Sequence, residues 1–256
     1  MLGIELLEII APALIAGLII ALIHAPLGLE VLARGIVFID LAVAQIAGLS
    51  VVVVNWWVHE PSWIVVQFVA VFSVTFAALF FYLIEKILPR EQEAIIGSAF
   101  IIAASAMLLV LADNPHGGKE MRHILAGQIL FIRWPMIFSL APILLVALVL
   151  WFRVPMVRGG FLFFLLFAVV ITASVQLVGV YVVFASLILP ALAVNTFDSR
   201  KIWKAMACSV VAVLAGITIS ALADLPAGPV LVFSYALVAI LVRFVFRQRQ
   251  NIQTGV

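Results

Sequence analysis

A helix of about twenty apolar residues spans the ~30 Å hydrocarbon core of a bilayer, so a chain built almost wholly from such runs has few other places to fold. In this sequence the runs occupy residues 6–25, 36–57, 62–85, 94–112, 134–152, 161–177, 179–196, 203–222 and 229–246. In lipid every backbone N–H and C=O must be satisfied within the protein, so the runs read as helices. The chain is therefore expected to be all-α, a polytopic membrane protein with eight or nine crossings. Composition agrees: 67% of the 256 residues are hydrophobic and 10% charged, too little polar surface for a water-soluble domain. Neither a linker nor a convincing internal repeat divides the runs, and residues 1–256 read as one transmembrane unit. Glu5 and Glu8 stand where a cleaved signal peptide would carry basic residues, so the first run reads as a retained helix.

Charge sets the expected orientation. Lys and Arg fall in alternate connections: Arg34; Lys86 and Arg90; Arg153 and Arg158; Arg200, Lys201 and Lys204; and Arg243, Arg247 and Arg249 in the tail. The intervening connections at His59-Glu60 and Asp224 carry none, which predicts an N-terminus outside and a C-terminus in the cytoplasm. Residues 113–123, DNPHGGKEMRH, fall on the outer side, with Lys119 and Arg122 offset by Asp113 and Glu120. Trp56, Trp57 and Trp63 flank the outward turn as an interfacial aromatic belt. A net charge of +2, spread over short clusters, offers no nucleic-acid surface. The one cysteine, Cys208, allows neither an internal disulfide nor a thiolate metal cluster.

The chemistry is sparse. The run 34–57 carries a single acid, Asp40. An ionisable group within the hydrocarbon costs ~2.5 to 3.5 kcal/mol on insertion scales and normally faces a protein interior or a wet cavity. Asp40 thus marks either a pathway for something polar or, six residues from Arg34, an interfacial acid paired with that Arg. His24 beside Pro26 reads as an interfacial group closing the first helix. His116 and His123, with Asp113 and Glu120 between them, either offer imidazole and carboxylate to a divalent ion at the outer mouth or form a solvated polar loop. No HExxH, GxSxG or paired intramembrane acids occur, and Gly117-Gly118-Lys119-Glu120 lacks the features of a phosphate-binding loop. An enzyme is not expected, and transport driven by nucleotide needs an ATPase on another chain.

Two packing features stand out. Ala13, Gly17 and Ala21, and then Ala44 and Gly48, recur at four-residue spacing and predict close helix contacts. The runs 161–177 and 179–196 each rise only ~25 Å, short of the hydrocarbon core. Their turn is tucked into the protein or the second run is broken near Pro190, and an ordinary kinked pair is the plainer alternative.

The runs PLGLEVLARGIVFIDLAVAQIAG from Pro26, AIIGSAF from Ala94, QLVGVYVVFASLILPALAV from Gln176 and ADLPAGPVL from Ala223 resemble, in order and spacing, the permease subunits of zinc, manganese and iron ABC importers, the ABC-3 type metal permeases. The resemblance implies the helical fold of the vitamin B12 and iron-siderophore permeases, a homodimer in the inner membrane, a cytoplasmic ABC ATPase, and an extracytoplasmic metal-binding protein. It further implies a divalent metal as cargo, zinc foremost, with no cofactor bound by this chain alone. Asp40 matches the family's acid and would meet the ion, with Gln45 and the backbone near Gly179 and Pro190 lining the path. Two departures stand out. Where the family has a histidine four residues after the acid this chain has Ala44, and the connection 153–160, RVPMVRGG, lacks the family's ATPase-docking helix. The other readings are a stand-alone secondary carrier or channel coupled through Asp40, and a family member that keeps the fold but carries another solute or none.

Overall fold

The computed structural model describes residues 2–58, 61–111, 129–196 and 200–254. Every one of the nine apolar runs is helical: α1 (Leu2–Arg34), α2 (Ile39–Trp57), α3 (Trp63–Ile87), α4 (Gln92–Leu111), α5 (Trp134–Arg153), α6 (Gly160–Val178), α7 (Val180–Val194), α8 (Lys201–Ala223) and α9 (Ala227–Thr254). Two 3-10 turns, Ile129–Phe131 and Pro155–Arg158, precede α5 and α6. Eight of these helices are long and apolar enough to cross a membrane, and α7, with 15 residues, falls short. Apolar side chains such as Phe68, Phe72 and Phe76 on α3 are more than two-thirds exposed, as a lipid-facing surface requires.

The connections between α1 and α2, α3 and α4, and α5 and α6 meet at one end of the bundle, and Arg34 joins them. Its guanidinium donates to Glu30 at 2.9 Å, to Glu85 at 2.8 Å and to the Arg158 carbonyl at 2.8 Å, and lies 4.1 Å from the Phe163 ring centroid. Arg158 turns back on its own connection and donates to the Trp151 carbonyl. At the same end Phe152 of α5 stacks on Trp203 of α8, and Arg243 of α9 donates to the Leu192 carbonyl of α7. The basic clusters that alternate along the sequence therefore gather at one end. Trp56, Trp57 and Trp63 stand exposed at the other.

Helix α1 runs through the interior, packing against α5, α7 and α8. Contrary to expectation it does not stop at Pro26 but continues to Arg34. Pro26 removes one donor, yet Leu27 and Val31 beyond it are fully buried and Glu30 pairs with Arg34 one turn on, so tertiary packing holds the helix together. Close approach to α7 explains the next residue: a Cβ on Gly28 would run into the Leu187 carbonyl. Ala13, Ala21 and Ala44 are likewise fully buried, as the small-residue spacing predicts.

His24 is also corrected. It is completely buried, between Ser186 of α7 at 2.7 Å from Nδ1 and Ser174 of α6 at 3.0 Å from Nε2. The Ser186 hydroxyl gives its one proton to the Val183 carbonyl, so Nδ1–H of His24 donates to Ser186 and Nε2 accepts from Ser174. A neutral imidazole satisfies all three side chains and ties three helices together. Nothing in the sequence around His24 distinguishes this from an interfacial site, because both serines lie some 150 residues away.

Between α6 and α7 the chain turns on one residue. Gly179 has φ 79° and ψ 164°, a conformation open to glycine, and is buried with Val178 and Val180 on either side. The turn is thus tucked into the protein, and α7 passes through Pro190 without a break. The carbonyl that Pro190 leaves without its helical donor belongs to Ser186, whose side chain is held by His24.

Gly28→Ala is expected to destabilise the bundle by at least ~3 kcal/mol, because the obstruction is backbone; a thermal midpoint in detergent equal to wild type would refute this close packing. His24→Ala should cost ~2 to 4 kcal/mol through the cavity and the stranded Ser174 hydroxyl. In the same melts His24→Asn, which keeps a donor and an acceptor, should lose less.

Candidate functional site

Asp40 lies in the first turn of α2 and is 1% exposed. Neither carboxylate oxygen has a side-chain partner among the described residues, and only the backbone N–H groups of Asp40 itself and Leu41 turn toward it. Arg34, the cation nearest in sequence, is engaged with Glu30, Glu85 and the Arg158 carbonyl. The interfacial reading, in which Asp40 pairs with Arg34, does not hold. The acid is buried, and among the described residues no cation pairs with it.

Gln45 is also buried, with its amide oxygen unpartnered. It lines an open cavity of about 660 Å³ together with Leu41 of α2, Phe100 of α4, and Val180, Tyr181 and Phe184 of α7. This places Gln45 beside the helix that starts at Gly179. Leu41 and Gln45 are one turn apart and share a face of α2, whereas Asp40 is not among the lining residues. Ala44, where the related permeases carry histidine, is one turn from Asp40 and fully buried. The structure therefore brings Gln45 and the Gly179 turn together and keeps Asp40 on a different face. Pro190 is buried within α7, next to Leu189 of the cavity wall. His116 and His123 lie outside the described residues.

Sequence reasoning missed one acid. Glu93 sits in the first turn of α4, which packs along α2. Its Oε1 accepts the backbone N–H of Phe38, the residue that precedes α2, at 3.2 Å. Its Oε2 is buried with no partner, as is the side-chain nitrogen of the adjacent Gln92. Glu93 and Asp40 each lie in the first turn of a helix, where the dipole favours negative charge. In the sequence Glu93 ends the charged stretch Glu85 to Glu93 and looks like a solvated loop acid. Only the packing of α4 on α2 shows otherwise.

The buried carboxylate of Asp40 and the amide of Gln45 lie on different faces of α2, and among the described residues no three His, Cys, Asp or Glu side chains come together. Elsewhere in the interior, polar side chains are paired off. Gln67 and Gln176 exchange hydrogen bonds between α3 and α6, and Ser234 donates to the Ala212 carbonyl between α9 and α8. Trp151, Ser209 and Tyr235 each leave one buried polar atom unpartnered, but none is an acid.

The architecture is similar to that of a chain in the structure of PsaBC from Streptococcus pneumoniae in complex with Fab, with a TM-score of 0.72 at 16% sequence identity over 94% of this chain and 95% of that one. At that identity the likeness is one of fold. No curated protein matches the sequence. The sequence does match the profile of the ABC 3 transport family over residues 6–161 and 153–246, nearly its whole length. With its apolar helices and its fold, this chain is a multi-pass membrane protein that belongs to the ABC 3 transport family.

Proposed function

We propose that this chain is the membrane subunit of an ABC importer that carries a divalent metal ion across the cytoplasmic membrane. Zinc comes first, and manganese or iron next, on the sequence resemblance. The observation that carries the proposal is Asp40: an acid buried in a membrane helix of an ABC 3 family member with no side-chain partner among the described residues. An unpaired acid in that position marks the route of a cation. The gathering of Lys and Arg at the Arg34 end supports a cytoplasmic location for that end, and so an N-terminus outside and a C-terminus inside. The energy comes from ATP hydrolysis in a partner ATPase bound at the cytoplasmic end. An extracytoplasmic protein delivers the ion, and two copies of this chain enclose the path.

The open cavity beside Gln45 supports a path between α2, α4 and α7. Gln45 is the polar side chain that α2 contributes to its otherwise mostly apolar wall.

Asp40→Asn keeps the shape of the side chain and removes its charge. In cells limited for zinc and then for manganese, elemental analysis should show accumulation of the carried metal reduced by about tenfold or more, the scale on which perturbed metal sites lose function. The variant should reach the membrane at wild-type levels. Normal accumulation would remove Asp40 from the mechanism.

A further inference from the structure

Away from α2, an open groove of about 490 Å³ runs between α5 and α6, and every side chain that lines it is apolar. Val146 and Leu150 of α5 form one wall and Leu162, Leu166 and Val169 of α6 the other. Val157, in the 3-10 turn Pro155–Arg158, closes the end where the two helices are joined. We propose that this groove binds an anionic phospholipid, with one acyl chain between α5 and α6 and the headgroup phosphate met by Arg153 at the mouth. The inference does not depend on which solute the chain carries.

The groove has a direction. Val157 and Leu162 stand beside the connection, and Pro142 and Val169 stand at the inner end. From Leu150 back to Pro142, and from Leu162 on to Val169, each wall extends about 10–12 Å at ~1.5 Å per residue. It therefore follows the helices from the interface toward the middle of the bilayer, the course that an acyl chain takes. Both helices are long and apolar enough to cross a membrane, and Val146 and Leu162 are exposed, so the groove opens onto hydrocarbon. Its size lies within the ~300–1,000 Å³ usual for sites that hold small molecules.

Arg153 supplies the polar end. It is the last residue of α5, three positions beyond Leu150 and seven beyond Val146, and so falls on the stripe that lines the groove. Its side chain is exposed and forms no ion pair among the described residues. The other two arginines of this region are engaged: Arg158 donates to the Trp151 carbonyl, and Arg34 to Glu30, Glu85 and the Arg158 carbonyl. A guanidinium grips a phosphate with two parallel N–H bonds, and basic side chains beside a membrane helix are drawn to anionic headgroups. Charge at the mouth and an apolar channel behind it match the two halves of one lipid. A lipid seated there covers Val157, and so braces from the membrane side the same connection that Arg34 holds through the Arg158 carbonyl.

The test uses the full-length chain, purified and delipidated in detergent, then titrated with phosphatidylglycerol or phosphatidylcholine of identical acyl chains and read by native mass spectrometry. We expect the first phosphatidylglycerol to bind the wild type well before phosphatidylcholine does. Arg153→Gln should lower phosphatidylglycerol affinity about fivefold, the scale of one basic side chain at an anionic leaflet, and leave phosphatidylcholine unchanged. Val146→Phe, which fills the groove, should weaken both lipids, whereas Leu145→Phe, an exposed position of α5 outside the lining, should weaken neither. Equal affinity of the wild type for the two lipids would overturn the proposal. So would an undiminished preference in Arg153→Gln, undiminished binding in Val146→Phe, or a dimer of this chain that Val146→Phe dissolves. If Arg153→Gln fails to fold, the wild type decides: its preference for phosphatidylglycerol should shrink at high salt, and a preference that salt leaves unchanged would rule out an exposed Arg153 as its source. If Val146→Phe fails to fold, Leu162→Phe fills the groove from the other wall, with the same two outcomes.

Discussion

A membrane helix cannot leave polar groups to water, and it gains little from burying apolar surface against lipid that is equally apolar. What holds such a bundle is close contact and the pairing of the few polar side chains. Helix α1 carries most of that burden here. Gly28 lets α1 lie against the backbone of α7, and four residues earlier His24 reaches Ser186 on α7 and Ser174 on α6. Contact and hydrogen bonding fall on the same turn of the same helix. The small residue permits the approach, and the imidazole fixes the register once it is made.

The charged groups divide into two populations. At the Arg34 end, Glu30, Glu85 and the Arg158 carbonyl engage all three nitrogens of one guanidinium, and three connections are pinned together. Further along, Asp40 is buried with no side-chain partner among the described residues, and Glu93 at the start of α4 accepts the Phe38 N–H. Evolution could have spent Arg34 on Asp40, six residues away, and obtained a conventional buried pair. With Arg34 taken by structural partners, the acids stay available. Structure and chemistry are separated by assigning the nearest cation to the scaffold.

Much of the fold was legible in the sequence because a bilayer enforces length. Among the described residues each of the nine apolar runs is helical, and the alternation of Lys and Arg foretold which ends would gather. The errors share one cause. The sequence places His24 next to a proline near a helix end, but its environment comes from serines 150 and 162 positions away. Glu93 reads as part of a charged loop, but the packing of α4 on α2 buries one of its oxygens. Of the two readings offered for the short pair, the turn tucked in near Gly179 holds and the break at Pro190 does not, because α7 continues through it. Each missed feature depends on which helix lies beside which, and hydropathy carries no information about neighbours. Asp40 was legible because its oddity is local, a lone acid in an apolar run.

The joint at Gly179 has a mechanical meaning. One residue offers two soft torsions, and both of its neighbours are already helical and buried. Helices α6 and α7 therefore cannot slide past each other; they can only tilt about a common pivot, like two arms of a pair of tongs. The handle of one arm is Gly160, where the chain leaves the turn that Arg34 pins, and the inner surface of the other carries Val180 and Phe184 along the cavity. A single glycine is thus all the chain that separates the helix leading from that connection from the helix that walls the cavity.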